Sequence, residues 1–196
     1  MKRYSLAIAF VLCATTGLLA QNAELKALAE EDQAFQLGTR KVTRTDDDRV
    51  KRVLELLAKG AAQTPEDKFS AAIILQHTPA DFCNERMVSR GAYNHLLAHY
   101  LAIESYEGGD KDARVLVAQT IDRYLSYATG RQKYGTNRII NQKTGKEELV
   151  PIDRSTSDTE RAKYGVPPLA ELLKSWPEQS TPGKTAIHKK SGKKPR

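Results

Sequence analysis

Three runs of helical periodicity, each closed by glycine, constrain this chain more than any other feature of its sequence. Val50, Val53, Leu54 and Leu57 recur at i, i+3, i+4 and i+7, with Asp46, Asp47 and Asp48 ahead of them and Gly60 behind. Acids in a first turn suit the positive end of the helix dipole, and glycine gives the chain its left-handed exit. The same reading predicts helices from about Ala92 to Tyr106, closed by Gly108-Gly109, and from about Asp112 to Ala128, closed by Gly130. A fourth opens at Thr64-Pro65-Glu66-Asp67, an N-cap hydroxyl, a first-turn proline and two acids, and runs through Ala71 and Ile74 to His77. Thr78-Pro79 stops it and is placed to cap a short helix next.

Leu25, Leu28, Ala29 and Asp32 begin an amphipathic segment that reaches about Phe35, and Asp158–Lys163 and Pro168–Lys174 read as short helices. Only Arg138 to Val150 departs from this pattern, with two β-prone runs around Lys143-Thr144-Gly145 that suit a hairpin. The fold class predicted for residues 21–179 is mainly α, a single helical domain with a small β-hairpin-bearing loop insertion. The helices around residues 92–128 resemble one hairpin of a helical repeat, but a solenoid needs stacked copies.

The two ends read differently from this body. The chain has 31 Lys+Arg against 24 Asp+Glu, a formal charge of +7. Lys2 and Arg3 carry part of the excess, and Lys184, Lys189, Lys190, Lys193, Lys194 and Arg196 carry most of the rest, leaving the middle near neutral. A nucleic-acid-binding fold should hold its excess within the fold, so no sequence-specific nucleic acid is expected. Residues 1–20 read as a secretory signal peptide: a basic start, an apolar run of about 15 residues from Leu6, and small residues before Gln21. Val11-Leu12 ahead of Cys13 lacks the small residue that lipoprotein processing requires. Cleavage after Ala20 predicts a periplasmic or secreted protein with no transmembrane span in the mature chain. It also leaves Cys83 alone, so no internal disulfide is available and packing must hold the fold; that thiol is expected to be half-buried and structural. Residues 180–196, rich in Pro, Gly, Ser and Lys, read as a disordered basic tail able to contact an anionic envelope polymer.

Chemistry is sought where polar residues fall on apolar helix faces. His77 follows Ile73 and Ile74 by four and three positions, and His99 lies between Leu96 and Ile103 at −3 and +4. Asp122 shares a stripe with Val115, Ala118 and Leu125, where it must find donors or a cation. Arg123 projects about 100° away from it around the helix. His95 and His99, at i and i+4, have a spacing that can chelate a metal, a weak signal without a nearby third ligand, and no metal site or cofactor is assigned. The zinc-protease, paired C-x-x-C, nucleophile-elbow and P-loop signatures are missing. Beyond the helix carrying Asp122, Gln132-Lys133-Tyr134-Gly135-Thr136-Asn137 sets a phenol, a hydroxyl and two amides around a glycine turn.

At these residues the chain resembles a bacterial family described as a domain of unknown function (number 6624). The resemblance rests on Asp32-Gln33, Gln76-His77, Leu97-Ala98-His99-Tyr100-Leu101-Ala102, Asp122-Arg123 and Gln132-Lys133-Tyr134-Gly135-Thr136, followed by Pro151-Ile152, Arg161 and Gly165-Val166-Pro167-Pro168-Leu169. It covers about Leu25 to Trp176. Asn137 stands where the family usually shows Gln, which shortens the reach of any contact made there. The resemblance implies no particular activity; it points to His77, His99, Asp122, Arg123, Gln132 and Tyr134, and leaves out His95 and Cys83.

Two functions follow as expectations. In one, an interior site binds, or binds and hydrolyses, a small polar or anionic compound. His77 would be its general acid/base, Asp122 the orienter of His77 or a second carboxylate, and His99 a further proton carrier or ligand. Arg123, Gln132, Tyr134 and Gln76 would be its ligand contacts. In the other, the same residues form a buried structural network in a non-catalytic envelope module whose basic tail meets anionic surfaces.

Overall fold

The capping signals at Asp46–Asp48 and at Thr64-Pro65 lie at helix starts in a computed structural model that describes residues 20–83, 86–140 and 144–176. The signal-peptide reading, apart from Ala20, and the basic-tail reading both lie outside the described residues. Helix α1 spans Ala23–Gln36, α2 Asp46–Ala58 and α3 Pro65–Gln76. After the strand pair β1 (Ala80–Cys83) and β2 (Arg86–Ser89) come α4 (Ala92–Glu107) and α5 (Ala113–Thr129). A second pair, β3 (Arg138–Ile140) and β4 (Glu147–Leu149), precedes the short helices α6 (Asp158–Lys163) and α7 (Leu169–Ser175). Among the described residues no helix is long and apolar enough to cross a membrane.

The capping boxes of α2 and α3 are reciprocal. Thr45 accepts from the Asp48 amide while Asp48 accepts from the Thr45 amide, and Thr64 and Asp67 do the same. Asp67 does more than cap, because its other oxygen accepts from the Asn22 amide at 2.6 Å and ties the start of α1 to the start of α3. Asn22 in turn caps α1 through the Glu24 and Leu25 amides, both at 3.0 Å.

The core lies where α3 packs between α1, α2, α4 and α5. Ile74 and Leu75 are fully buried there, each contributing about 1.5–3 kcal/mol, against Leu25 and Leu28 of α1 and Val53 of α2. Ala71, Ala72, Ala98 and Ala102 are also fully buried, and these small side chains let α3 and α4 approach closely. A smaller cluster of Ala118, Tyr134 and Val166 holds the C-terminal segments against α5.

The fold is mainly α with small antiparallel strand pairs, and the insertion predicted near residues 138–150 is the pair β3–β4, with Arg138 opposite Leu149. Two expectations need correction. The short helix placed after Thr78-Pro79 is instead the hairpin β1–β2, with Ala80 opposite Ser89. Pro79 accepts from the Arg90 amide at 2.9 Å across its open end, and Arg90 holds Asp81 and the Asp47 carboxylate of α2. Cys83 is exposed rather than half-buried, because it closes a two-stranded ribbon with no third strand beside it.

Among the described residues, Gly135 is the turn glycine held most tightly by both its backbone and its neighbours. Its φ is +82°, and a Cβ there would lie 2.4 Å from Leu172 Cδ2 and 2.9 Å from Ile152 Cδ1. Gly38 has a similar φ of +63° but open space around it. Gly135→Ala should therefore cost about 3 kcal/mol, combining backbone strain with overpacking, whereas Gly38→Ala should cost about 1 kcal/mol. Urea unfolding of the two variants checks the difference; equal losses would contradict the packing of α7 on this loop.

Candidate functional site

A carboxylate buried on the wrong side of an amphipathic helix has to be accounted for, and this fold has two. Asp32 ends the α1 stripe that begins at Leu25, and it is fully buried. Its Oδ2 accepts from His77 Nδ1 at 2.7 Å and from Gln33 Nε2 at 3.1 Å. Its Oδ1 faces the guanidinium of Arg49, whose Nε lies 3.4 Å away. Arg49 is itself fully buried, donates to the Arg44 carbonyl at 2.8 Å, pairs with Asp46 and stacks over Phe35. Three helices thus meet at one ion cluster, and its outward member is His77, the C-cap residue of α3.

With Nδ1 committed to a carboxylate that can only accept, neutral His77 keeps its lone pair on Nε2. The ring lines a cavity of about 230 Å³ together with Gln33, Gln76, Gln119, Arg123, Thr136 and Asn137, over a floor of Ile73 and Leu116. Two of these residues carry unmet hydrogen-bonding capacity. Arg123 Nε and Gln76 Oε1 are buried without a partner, and among the described residues no carboxylate lies within ion-pair distance of Arg123. An arginine held beside a polar cavity without a counter-ion favours an anion there.

Asp122 is the second buried carboxylate, and its role differs from the one expected of it. Oδ1 accepts from the amides of Lys133 and Tyr134, both at 2.7 Å, and Oδ2 from the amide and hydroxyl of Thr136, both at 2.8 Å. Burial pushes this carboxyl above the ordinary aspartate range, while the donors from Thr136, Tyr134 and Lys133 pull against that shift. With its oxygens engaged by the loop, Asp122 is a positioning residue, and the carboxylate that orients His77 is Asp32.

The other residues proposed from the sequence divide the same way. His77, Gln76 and Arg123 share the cavity, with Thr136 and Asn137 brought in by the loop. Gln132 is a clamp: its Nε2 donates to the carbonyls of Asn137 and Val150 at 2.9 and 2.7 Å, and its Oε1 accepts from the Asn137 amide at 2.7 Å. Tyr134 packs inside the loop and donates to Glu160 at 3.0 Å, and burial pushes its phenol pKa up. Its carbonyl accepts from fully buried Arg161 at 2.6 Å. His99 lines neither of the two cavities described for this fold. Its Nδ1 lies 3.0 Å from the Val117 carbonyl, joining α4 to α5, and burial lowers its pKa.

His95 contributes to the surroundings of this site without lining it. It is fully buried, stacked on Tyr127 at 5.2 Å and 3.0 Å from Ser89 Oγ. Burial, and then the nearby charges of Arg123 and His77, push its pKa down to about 3. Among the described residues, no group of three His, Cys, Asp or Glu side chains is arranged to hold a metal. Sequence reasoning left Asp32 and Arg49 unassigned. Asp32 carries the same signal as Asp122, a carboxylate on an apolar stripe; Arg49 has no comparable signal, because it sits among acids that read as an ordinary helix start.

No protein-family model, curated protein or solved structure matches this chain.

Two outcomes follow from these geometries. Asp122→Ala should cost about 3–5 kcal/mol in chemical denaturation, because it strands four donors and frees the loop; a loss below about 1 kcal/mol would mean that the loop holds without it. For His95, the folded value of about 3 lies below the ordinary 6.5, so between those pH values the unfolded chain binds a proton that the folded chain refuses. Stability from this residue is therefore full above about pH 6.5 and is lost as pH falls toward 3. His95→Gln should flatten that acid limb, keeping a few kcal/mol that the unaltered chain loses; unfolding series at several pH values read this directly.

Proposed function

We propose that this chain binds a small anionic compound in the cavity between α1, α3 and α5, and that His77 acts on it as a general acid/base. One observation carries the reading: the His77 ring is oriented by buried Asp32 and lines the same polar cavity as Arg123, which has no counter-ion among the described residues. Arg123 would hold the negative charge of the ligand. The Gln76 and Asn137 amides would fix its orientation. Nε2 of His77 would take a proton from a water or hydroxyl as that group attacks, and return it to the leaving group. Arg49 would hold the Asp32 carboxylate in place, and Asp32 would hold the imidazole in one orientation through its Nδ1. Hydrolysis of an acyl or phosphoryl group is the simplest chemistry these residues could perform; binding alone would need His77 only as a donor or acceptor.

Export to the periplasm or beyond belongs to this proposal, supported by the signal-peptide pattern, as does membership of the family that the ordered motifs resemble. The envelope-module alternative draws on the basic tail, and the loop network of Asp122, Gln132 and Arg161 favours it in part, since that network is structural.

Thermal-shift titration with inorganic phosphate and a panel of short carboxylates and phosphate esters tests the reading. A compound present at 100 times its dissociation constant should stabilise the fold by about 2.7 kcal/mol. Arg123→Gln should abolish the response while leaving the ligand-free melting temperature nearly unchanged. For any panel member that is turned over, His77→Ala and Asp32→Asn should each cost about 100-fold or more in kcat. If no compound shifts melting and His77→Ala itself unfolds the chain, the residues are structural and the proposal fails.

A further inference from the structure

A second cavity, of about 300 Å³, adjoins the first, and two residues, Gln119 and Thr136, line both. The two differ in chemistry. The first is walled mainly by amides, an imidazole and a guanidinium; the second is walled by Val115 of α5, Val166 and Pro167 ahead of α7, and Leu172 and Trp176 at its far side. Its charged members are already engaged or balanced. The Arg138 guanidinium lies over the Trp176 ring, 4.0 Å from its centre, and within 3.9 Å of Glu147, and Glu171 adds an acid at the rim. A second anion would find no unpaired cation there, whereas an apolar chain would find aliphatic and aromatic walls.

We infer that the ligand of the first cavity is amphipathic: an anionic head held at Arg123, and an apolar tail that crosses between Gln119 and Thr136 into the groove of Val115, Val166, Leu172 and Trp176. This rests on the function proposed above and adds the class of compound to it. The adjacency of the two cavities selects this occupant, because Gln119 and Thr136 line both and a tail leaving the head site would need to cross only those two residues. Gly135 lines the second cavity, and without a side chain it lets Leu172 and Ile152 close on the loop.

The chain has one tryptophan, Trp176, and it lies in this groove, so its fluorescence reports on the tail specifically. The full-length protein is titrated with straight-chain carboxylates from acetate to decanoate below their micelle concentrations, with the matching alkyl phosphates and with alkyltrimethylammonium ions of equal length. Affinity should rise about three- to fourfold per added methylene until the groove is filled. Trp176 emission should change only for the longer members. Val115→Asp, at a position 41% exposed and so tolerant of a polar group, should remove the length dependence while leaving short-anion affinity unchanged. Arg123→Gln should weaken every anion by the same factor.

Short anions that bind with no dependence on chain length would overturn this inference and leave the first-cavity reading standing. Binding by none of the series would end both. Equal affinity for the cationic series, or a length dependence indifferent to Arg123→Gln, would show that tails enter the groove unaided, and the bridging ligand would be abandoned. A Trp176 response seen only after removal of residues 177–196 would identify the chain's own C-terminal segment as the occupant and overturn it as well.

Discussion

Asp122 holds the loop of residues 131–137 through four hydrogen bonds, and much of the candidate site depends on that loop. A fully buried carboxylate is costly unless its lone pairs are met, and here successive backbone amides converge on it. The loop cannot relax without exposing those donors to an apolar face of α5. Gln132 fixes its other end by clamping Asn137 and Val150, and Arg161 fastens the Tyr134 carbonyl from below. Thr136 and Asn137 therefore reach the first cavity, and Gly135 the second, on a segment as constrained as a helix. This is a means of building a rigid wall from irregular backbone.

Comparison of buried Asp32 with buried Asp122 shows two different environments for the same side chain. Asp122 has each oxygen saturated by neutral donors that do not titrate near neutrality. Asp32 instead shares one oxygen between an imidazole and an amide, and presents the other to Arg49 at 3.4 Å, longer than a good hydrogen bond. Its partner His77 is partly open to the cavity, with a side-chain exposure of 22%. A saturated carboxylate stabilises; one bonded to a titratable ring that faces a cavity can pass a proton. The same residue type on the same kind of helix stripe thus serves two ends, decided by what stands opposite.

The helices were legible because their signals are local. Capping boxes, first-turn acids and terminal glycines act within four residues, and α2 to α5 begin and end close to where those residues stand. The hairpin β1–β2 was not legible, since its strands are four residues each and its contacts to the helices are distant in sequence, as where Arg90 reaches Asp47 on α2. The exposure of Cys83 follows from the same miss. Within the site, burial reasoning found His77 and Asp122 one at a time, yet joined them to each other. The actual partner, Asp32, is 45 residues from His77 in sequence, and no period or spacing encodes a contact between α1 and the end of α3. His99 shows the converse: an apolar-face histidine whose Nδ1 meets a carbonyl on the neighbouring helix rather than a cavity.

Asn137 can be placed more firmly now than from the sequence, where its short amide in place of the longer glutamine counted against any contact it makes. Gln132 grips only the backbone of residue 137, its N–H and its C=O, so the clamp is indifferent to the length of the side chain. The side chain of residue 137 therefore bears on the cavity and not on the loop. Residue 137 lines the first cavity together with Thr136, which also lines the second, and an asparagine there takes less room than a glutamine would. The loop that holds the wall tolerates this variation because its own bonds run through the main chain.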